Sequence, residues 1–128
     1  MTPTLNLLVL RVADPAAAMR FYAALGITFV RERHGNGPEH FSGLAGTVLL
    51  ELYPAGEATG TRSTRLGFAV SSIATTLDAL LKNGGTVLST PQNGPWSLRA
   101  VVADPDGHRV ELAQQKAPYS KTLLYLRI

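Results

Sequence analysis

The chain contains one structural unit twice, and this repeat constrains its fold more than any other feature. An apolar segment at residues 8–12 leads into a helical stretch and then into residues 26–30. Residues 66–70 and 84–88 repeat the arrangement 58 positions later. A repeat of this kind indicates two copies of one supersecondary unit that share a core. Two half-units that face each other also enclose a pocket, so we expect a ligand site between them.

Each unit is predicted to have the order strand, helix, strand, strand, strand, because apolar periodicity changes at Gly and Pro signals. Unit one has strands at residues 4–12, 27–33, 39–44 and 47–53 and a helix at 16–25, capped by Asp14. Unit two has strands at residues 63–70, 86–89, 97–103 and 108–114, a helix at 72–83, a loop at 91–95 and a turn at 104–107. This is an α+β fold in which a curled mixed sheet surrounds a pocket and the helices cover its convex side.

The domain organisation follows from the repeat. We expect a single domain over residues 1–128, with unit one at about 4–53, a linker at 54–62 and unit two at about 63–114. Residues 115–128 lie outside the repeat. Their apolar end, Thr122–Ile128, is expected to pack or pair as an extra strand, the alternative being a frayed terminus.

Composition excludes several classes of function. The net charge is +3, but the basic residues are scattered without a run of three, so no nucleic-acid patch is predicted. The chain has no cysteine, which excludes disulfides and thiolate metal sites. No apolar run approaches the ~20 residues of a membrane span, and no signal peptide is recognised. We therefore expect a cytoplasmic protein with no nucleic-acid or membrane partner.

The motifs resemble those of the vicinal oxygen chelate superfamily, which contains glyoxalase I, bleomycin-resistance proteins, fosfomycin-resistance enzymes and extradiol dioxygenases. The most specific match is the turn Asp104-Pro105-Asp106-Gly107 followed by a strand with Glu111. In unit one, the match covers residues 10–14, 20–22 and 25–26. In unit two it also covers residues 68–70, 83–85 and 95–96. Together with the repeat, the resemblance extends over roughly residues 5–114.

The resemblance implies where a metal would bind. In metal-dependent members, one ligand lies on the first strand and one on the last strand of each unit, and these places are Leu7, Glu51, Arg65 and Glu111 here. Leu cannot ligate a metal, and Arg is a permanent cation. We therefore expect no metal and no other cofactor, with a divalent metal as the alternative. His34, His40 and His108 are read as solvated or structurally satisfied, although His40 is on a predicted strand that could face the pocket.

Arg65 suggests another role for the two glutamates. Its guanidinium is expected to bond to Glu51, Glu111 or both, and so to take the place of the metal. Trp96 is the only tryptophan, and it either stacks on a planar ligand or plugs the end of the sheet. The predicted ligand pocket contains Leu7, Arg11, Glu51, Arg65, Trp96 and Glu111.

Three functions fit these residues. The first is a metal-free small-molecule binding protein of the bleomycin-resistance type. The second is a lyase, isomerase or dioxygenase-type enzyme acting on a small oxygenated substrate, with or without a divalent metal; its candidate catalytic residues are Glu51 and Glu111. The third is a non-catalytic partner or regulatory module. The resemblance also implies a homodimer, with or without exchange of units between chains.

Overall fold

The computed structural model describes residues 2–57 and 60–115. Unit one contains β1 (Leu7–Val12), α1 (Pro15–Ala23), β2 (Phe29–Glu32), β3 (His40–Ala45) and β4 (Val48–Pro54). Unit two contains β5 (Arg65–Ala69), α2 (Ile73–Leu81), β6 (Thr86–Asn93), β7 (Ser97–Ala103) and β8 (Arg109–Gln115). The predicted extra strand at Thr122–Ile128 lies outside the described residues. No helix within the described ranges has the length and apolar character needed to cross a membrane.

The two units form two four-stranded mixed sheets with the same strand order. The first sheet has the order β1-β4-β3-β2 and the second the order β5-β8-β7-β6. In each sheet the first and last strands of the unit pair in parallel, and the other pairs are antiparallel. The predicted fold class, α+β with two tandem βαβββ units, is therefore confirmed.

Both helices begin at the predicted caps, but α1 ends at Ala23 and α2 at Leu81, each two residues before the predicted end. The Asp14 carboxylate accepts hydrogen bonds from the amides of Ala16 and Ala17, and the Ser72 hydroxyl accepts one from the Thr75 amide. These contacts satisfy amide groups that have no partner inside the helix. Gly26 and Gly84 follow the helices with φ of 106° and 90°, a conformation that glycine adopts without a steric cost.

Strand β6 is longer than predicted. The sequence places a strand at residues 86–89 and a loop at 91–95, whereas the structure continues β6 through Pro91 to Asn93. Proline is tolerated because β6 is the edge of its sheet, so the missing amide hydrogen breaks no ladder hydrogen bond there. Irregular register between residues 87 and 92 also bends this edge, as a β-bulge does.

Strand alternation gives each sheet one face that is covered by helices and one that is not. The helix-covered faces of both sheets contribute to one core, with Leu10 and Leu52 from the first sheet and Val102 and Leu112 from the second. We call the faces without helices the first open face and the second open face, after their sheets. The strand registers place these residues on the first open face: Leu7, Val9, Arg11, Val30, Glu32, His40, Ser42, Leu44, Leu49, Glu51 and Tyr53. They place Arg65, Gly67, Ala69, Ser89, Gln92, Arg99, Val101, Arg109, Glu111 and Ala113 on the second open face.

Helix α1 joins the two units. The buried Tyr22 hydroxyl donates a 2.7 Å hydrogen bond to the Asp104 carboxylate in the turn before β8. Phe21 lies close enough to Gly85 that a Cβ atom there would come within 3.0 Å of the Phe21 ring. The open faces consequently lie on the outside of a core that both units build.

Candidate functional site

The predicted pocket residues lie on two separate open faces. Leu7 and Glu51 are on the first, and Arg65 and Glu111 are on the second. A cleft of about 490 Å³ on the first open face is lined only by unit one. A cleft of about 330 Å³ on the second open face is lined only by unit two and includes Glu111. Neither of these clefts combines the two glutamates.

Glu51 lies in a polar row across the first sheet. Its cross-strand neighbour Ser42 donates a 2.9 Å hydrogen bond to Oε2. The Nε2 atom of His40 is 3.8 Å from the same oxygen. Because β3 and β4 are joined by a two-residue turn at Gly46-Thr47, counting back from that turn would have placed Ser42 opposite Glu51.

His40 is the most unusual side chain of this row. It lies on β3 opposite Glu32 and is 1% exposed. Its ring stacks on Tyr53 with centroids 4.1 Å apart, and the Arg11 guanidinium lies 5.0 Å from the Tyr53 ring. Its Nδ1 is 3.2 Å from the carbonyl oxygen of Pro38. A carbonyl only accepts hydrogen bonds, so Nδ1 carries the proton.

Glu111 forms an ion pair with Arg99. Arg99 was not among the predicted pocket residues. Arg65 was expected to bond to Glu51 or Glu111, but among the described residues it makes no ion pair with either. The β7–β8 register explains the difference, because Arg99 lies opposite Ala113, two positions along β8 from Glu111 on the same face. Arg65 instead lies opposite Arg109. Counting back from the predicted turn at 104–107 would have missed this register, because the connection also includes His108 and the first pair is Ala103 with Arg109.

A third cleft, larger than the two on the open faces, lies between the first sheet and β5. It has a volume of about 590 Å³ and mostly apolar walls. Arg65 lines it together with Leu8, Leu25, Ile27, Leu50, Leu66 and Phe68. Trp96 is half-buried in the segment before β7. It lines none of these three clefts.

The four positions that the resemblance assigns to a metal do not suit one. Leu7 and Arg65 have no ligand atom for a cation, and the Glu111 carboxylate is already paired with Arg99. A different group on the first sheet does have ligand chemistry. The ligand atoms of Glu32, His34 and His40 lie within 4.8 Å of one another.

The turn motif at residues 104–107 serves the structure of the chain. Asp104 Oδ1 accepts hydrogen bonds from the amides of Asp106 and His108, and Oδ2 accepts the one from Tyr22. His108 is fully buried, with Nε2 2.8 Å from the Thr61 hydroxyl. Its Nδ1 lies 2.9 Å from Asp104 Oδ2 without the alignment of a regular hydrogen bond. The turn therefore holds unit two against unit one.

These contacts shift two pKa values. Burial would by itself raise the pKa of the Asp104 carboxyl, but the close His108 imidazole, the hydrogen bond from Tyr22 and that from the His108 amide outweigh it and lower the pKa below its ordinary value. Burial, followed by the nearby Asp104 charge, raises the pKa of the Tyr22 hydroxyl. At neutral pH the pair is thus a neutral phenol and a carboxylate.

Comparisons with solved structures identify similar folds. A glyoxalase/bleomycin resistance protein/dioxygenase family enzyme from Burkholderia phytofirmans PsJN is 15% identical with a TM-score of 0.74, covering 89% of this chain and 100% of that chain. TnmS3, an antibiotic binding protein from Streptomyces sp. CB03234, is 22% identical with a TM-score of 0.70, covering 90% and 98%. A glyoxalase-related enzyme from Fulvimarina pelagi is 23% identical with a TM-score of 0.72, covering 89% of each.

Sequence comparison gives the family directly. Comparison with curated proteins finds no match for this chain. The family model of the Glyoxalase/Bleomycin resistance protein/Dioxygenase superfamily matches residues 4–112, which include every described strand of both units except the last residues of β8. The matched region also includes the turn that ties the units together and both open faces. The chain therefore belongs to the Glyoxalase/Bleomycin resistance protein/Dioxygenase superfamily.

Proposed function

We propose that this chain binds an organic small molecule on its open faces, without a metal at Leu7, Glu51, Arg65 and Glu111. One observation carries the proposal: these four positions hold an apolar side chain, a guanidinium and two carboxylates, one of them neutralised by Arg99. Such side chains contact organic groups well and form a poor ligand set for a cation.

The first open face indicates the chemistry of the ligand. Leu7, Val30 and Leu44 are 46%, 60% and 63% exposed on this face, beside the hydrogen-bonded pair of Ser42 and Glu51. Grouped exposed apolar side chains commonly mark binding sites, and a few polar groups then orient the ligand. We therefore propose a planar, largely apolar molecule with at least one hydrogen-bonding group.

The charges of the two open faces support a homodimer. The acidic residues predominate on the first face and the basic residues on the second: Glu32 and Glu51 with Arg11, against Arg65, Arg99 and Arg109 with Glu111. We propose that the first open face of one copy meets the second open face of another, because opposite charges favour that pairing. The ligand would then be enclosed by both copies.

The cleft of about 590 Å³ is less suited to the ligand despite its size. Its walls are largely the apolar side chains that also build the core, and Arg65 is its only charged lining residue. The clefts on the open faces instead bring several polar groups together, including Ser42, Arg99 and Glu111. The fold shared with an antibiotic binding protein supports the class of ligand, an organic molecule, and no particular compound.

A matched pair of variants tests the proposal. Planar aromatic compounds of acidic, neutral and basic character would be screened by thermal shift in the presence of EDTA, with Trp96 fluorescence as a second readout. We expect hits that bind the wild type and lose affinity by about tenfold or more in Leu7→Lys, an energy of about 1.4 kcal/mol. Leu81→Lys is the control, because Leu81 is 44% exposed but ends helix α2.

Two results would contradict the proposal. One is that the aromatic compounds bind only when a metal is present, so that EDTA abolishes their binding. The other is equal affinity for the same compounds in wild type, Leu7→Lys and Glu51→Gln, with loss only in variants of the larger cleft such as Phe68→Ala.

A further inference from the structure

We propose that Glu32, His34 and His40 form a binding site for a divalent transition-metal ion at the edge of the first sheet. This site is distinct from the four family positions, although Glu51 lies next to it. The proposal does not rest on the organic ligand proposed above, because it concerns a different class of ligand and is tested with the metal alone.

The local fold brings the three residues together. Glu32 ends β2 and lies directly opposite His40 on β3. His34 follows β2 and accepts a 2.9 Å hydrogen bond from the Gly37 amide through its carbonyl oxygen, which closes the turn back toward β3. The rings of His34 and His40 are 5.1 Å apart. All three ligand atoms lie within 4.8 Å of one another.

The buried His40 ring points independently to a ligand. The Pro38 carbonyl accepts the Nδ1 hydrogen, so in the neutral ring Nε2 carries a lone pair that can bind a metal ion. This Nε2 is buried and has no hydrogen-bond partner within residues 2–57 and 60–115. A buried polar atom without a partner costs about 1–3 kcal/mol and is rare in native proteins. A metal ion at Nε2 would remove that cost.

The surrounding charges favour a cation at this point. Nε2 lies 3.9 Å from Glu32 Oε1 and 3.8 Å from Glu51 Oε2, beyond hydrogen-bond distance for both. Ligand atoms around a tetrahedral ion are roughly 3.3 Å apart for bonds of about 2.0 Å, so small side-chain movements would close the site. The Arg11 guanidinium lies 5.0 Å from the Tyr53 ring, and those of Arg31 and Arg33 are paired with Glu39 at 3.9 and 3.8 Å.

The ligand set selects the kind of metal. Two imidazoles and a carboxylate suit Zn²⁺, Ni²⁺, Co²⁺ and Cu²⁺, whereas Mg²⁺ and Ca²⁺ require oxygen ligands. With three protein ligands, a tetrahedral metal ion keeps one coordination position free, as in metal sites that bind a further molecule. Because His34 is exposed, that position would be open to solvent.

Metal titration of the chelator-treated full chain tests the proposal. Calorimetry with Zn²⁺ and absorption spectroscopy with Co²⁺ are expected to show one equivalent bound, and Mg²⁺ none. His34→Ala and Glu32→Gln are each expected to lower the Zn²⁺ affinity by more than about tenfold, since even the loss of an outer partner commonly costs that much. Both residues are solvent-accessible, so the variants should fold, and circular dichroism would verify it.

Two control variants separate this site from others. Glu39→Gln removes a neighbouring carboxylate that instead pairs with Arg31 and Arg33, and it should leave Zn²⁺ affinity unchanged. Glu111→Gln alters a family position and should also have no effect. The proposal is overturned if no stoichiometric binding occurs, if His34→Ala and Glu32→Gln bind as tightly as wild type, or if Glu111→Gln abolishes binding. None of these results bears on organic-ligand binding in EDTA.

Discussion

At the scale of single residues, Asp104 connects the two units by accepting hydrogen bonds from both. Its carboxylate is buried and accepts hydrogen bonds from Tyr22 of unit one and from the His108 amide of unit two. Hydrogen bonds to a buried charge are worth more than those between neutral groups, and a lost one leaves the desolvation cost behind. Asp104, the first residue of the recognised turn motif, therefore serves to stabilise the fold.

We predict that Asp104→Asn lowers the free energy of unfolding by about 2 kcal/mol at neutral pH, because the charge-assisted hydrogen bonds weaken. The pKa of Asp104 is lower in the folded chain than in the unfolded chain. Its contribution is therefore present above the unfolded-state value and is lost as the pH falls through the folded-state value. Urea unfolding between pH 7 and about pH 3 should show the difference from wild type shrinking on acidification.

Asp78→Asn serves as the control for this measurement. Asp78 is exposed and pairs with Lys82 four residues later in the chain, so its loss should have little effect at any pH. A difference between wild type and Asp104→Asn that stays constant or grows on acidification would contradict the prediction.

At this scale, the sequence predicted the two carboxylates of the site but not their partners. Strand alternation accounts for Glu51 and Glu111 lying on faces away from the helices, because alternation depends only on local backbone geometry. The partners of these carboxylates depend on the register between strands. The expected Arg65 contact was wrong for this reason, and Ser42 and Arg99 were not anticipated. The grouping of Glu32 with His34 and His40 further depends on how the turn at residues 35–37 folds.

At the scale of elements, Phe21 of α1 packs against Gly85, the residue directly before β6 in the other unit. A Cβ atom at Gly85 would lie 2.8 Å from the Leu80 carbonyl oxygen and 3.0 Å from the Phe21 ring. These contacts leave no room for a larger residue. The glycine pair was read from the sequence only as a helix stop, since contact with α1 of the other unit is not encoded in local pattern.

We predict that Gly85→Ala lowers the free energy of unfolding by about 1–3 kcal/mol, because it forces the chain apart at a packed contact. Gly67→Ala is the matched control: a Cβ there meets no atom within 4 Å. Its effect should be neutral or slightly stabilising, because alanine restricts the unfolded chain. Thermal and urea unfolding would compare the two, and equal effects would refute the packing explanation.

Most elements were predictable because their signals are local. Asp14, Ser72 and the positive-φ glycines mark the helix ends in the sequence and in the structure. The length of β6 was not predictable in this way, because Pro91 reads as a strand breaker unless the strand is known to be an edge. Edge position is a property of the whole sheet.

At the scale of the whole molecule, the proposed homodimer makes a clear prediction. Light scattering should give the mass of two chains, and Leu44→Lys should shift the chain toward the monomer, because Leu44 is 63% exposed on the first open face. Leu81→Lys places the same charge at the end of α2 and should leave the mass unchanged. A wild-type monomer at working concentration, or equal masses for both variants, would contradict the proposed interface.

The hydrogen bond between Tyr22 and Asp104 has a consequence for how the chain unfolds. The phenol belongs to one half of the repeat and the carboxylate to the other, so separating the halves breaks this hydrogen bond and exposes the core that both halves build. The halves should therefore lose their structure in one cooperative step, with no stable species in which a single half remains folded. We therefore expect the two copies of the repeat to form a single folding unit.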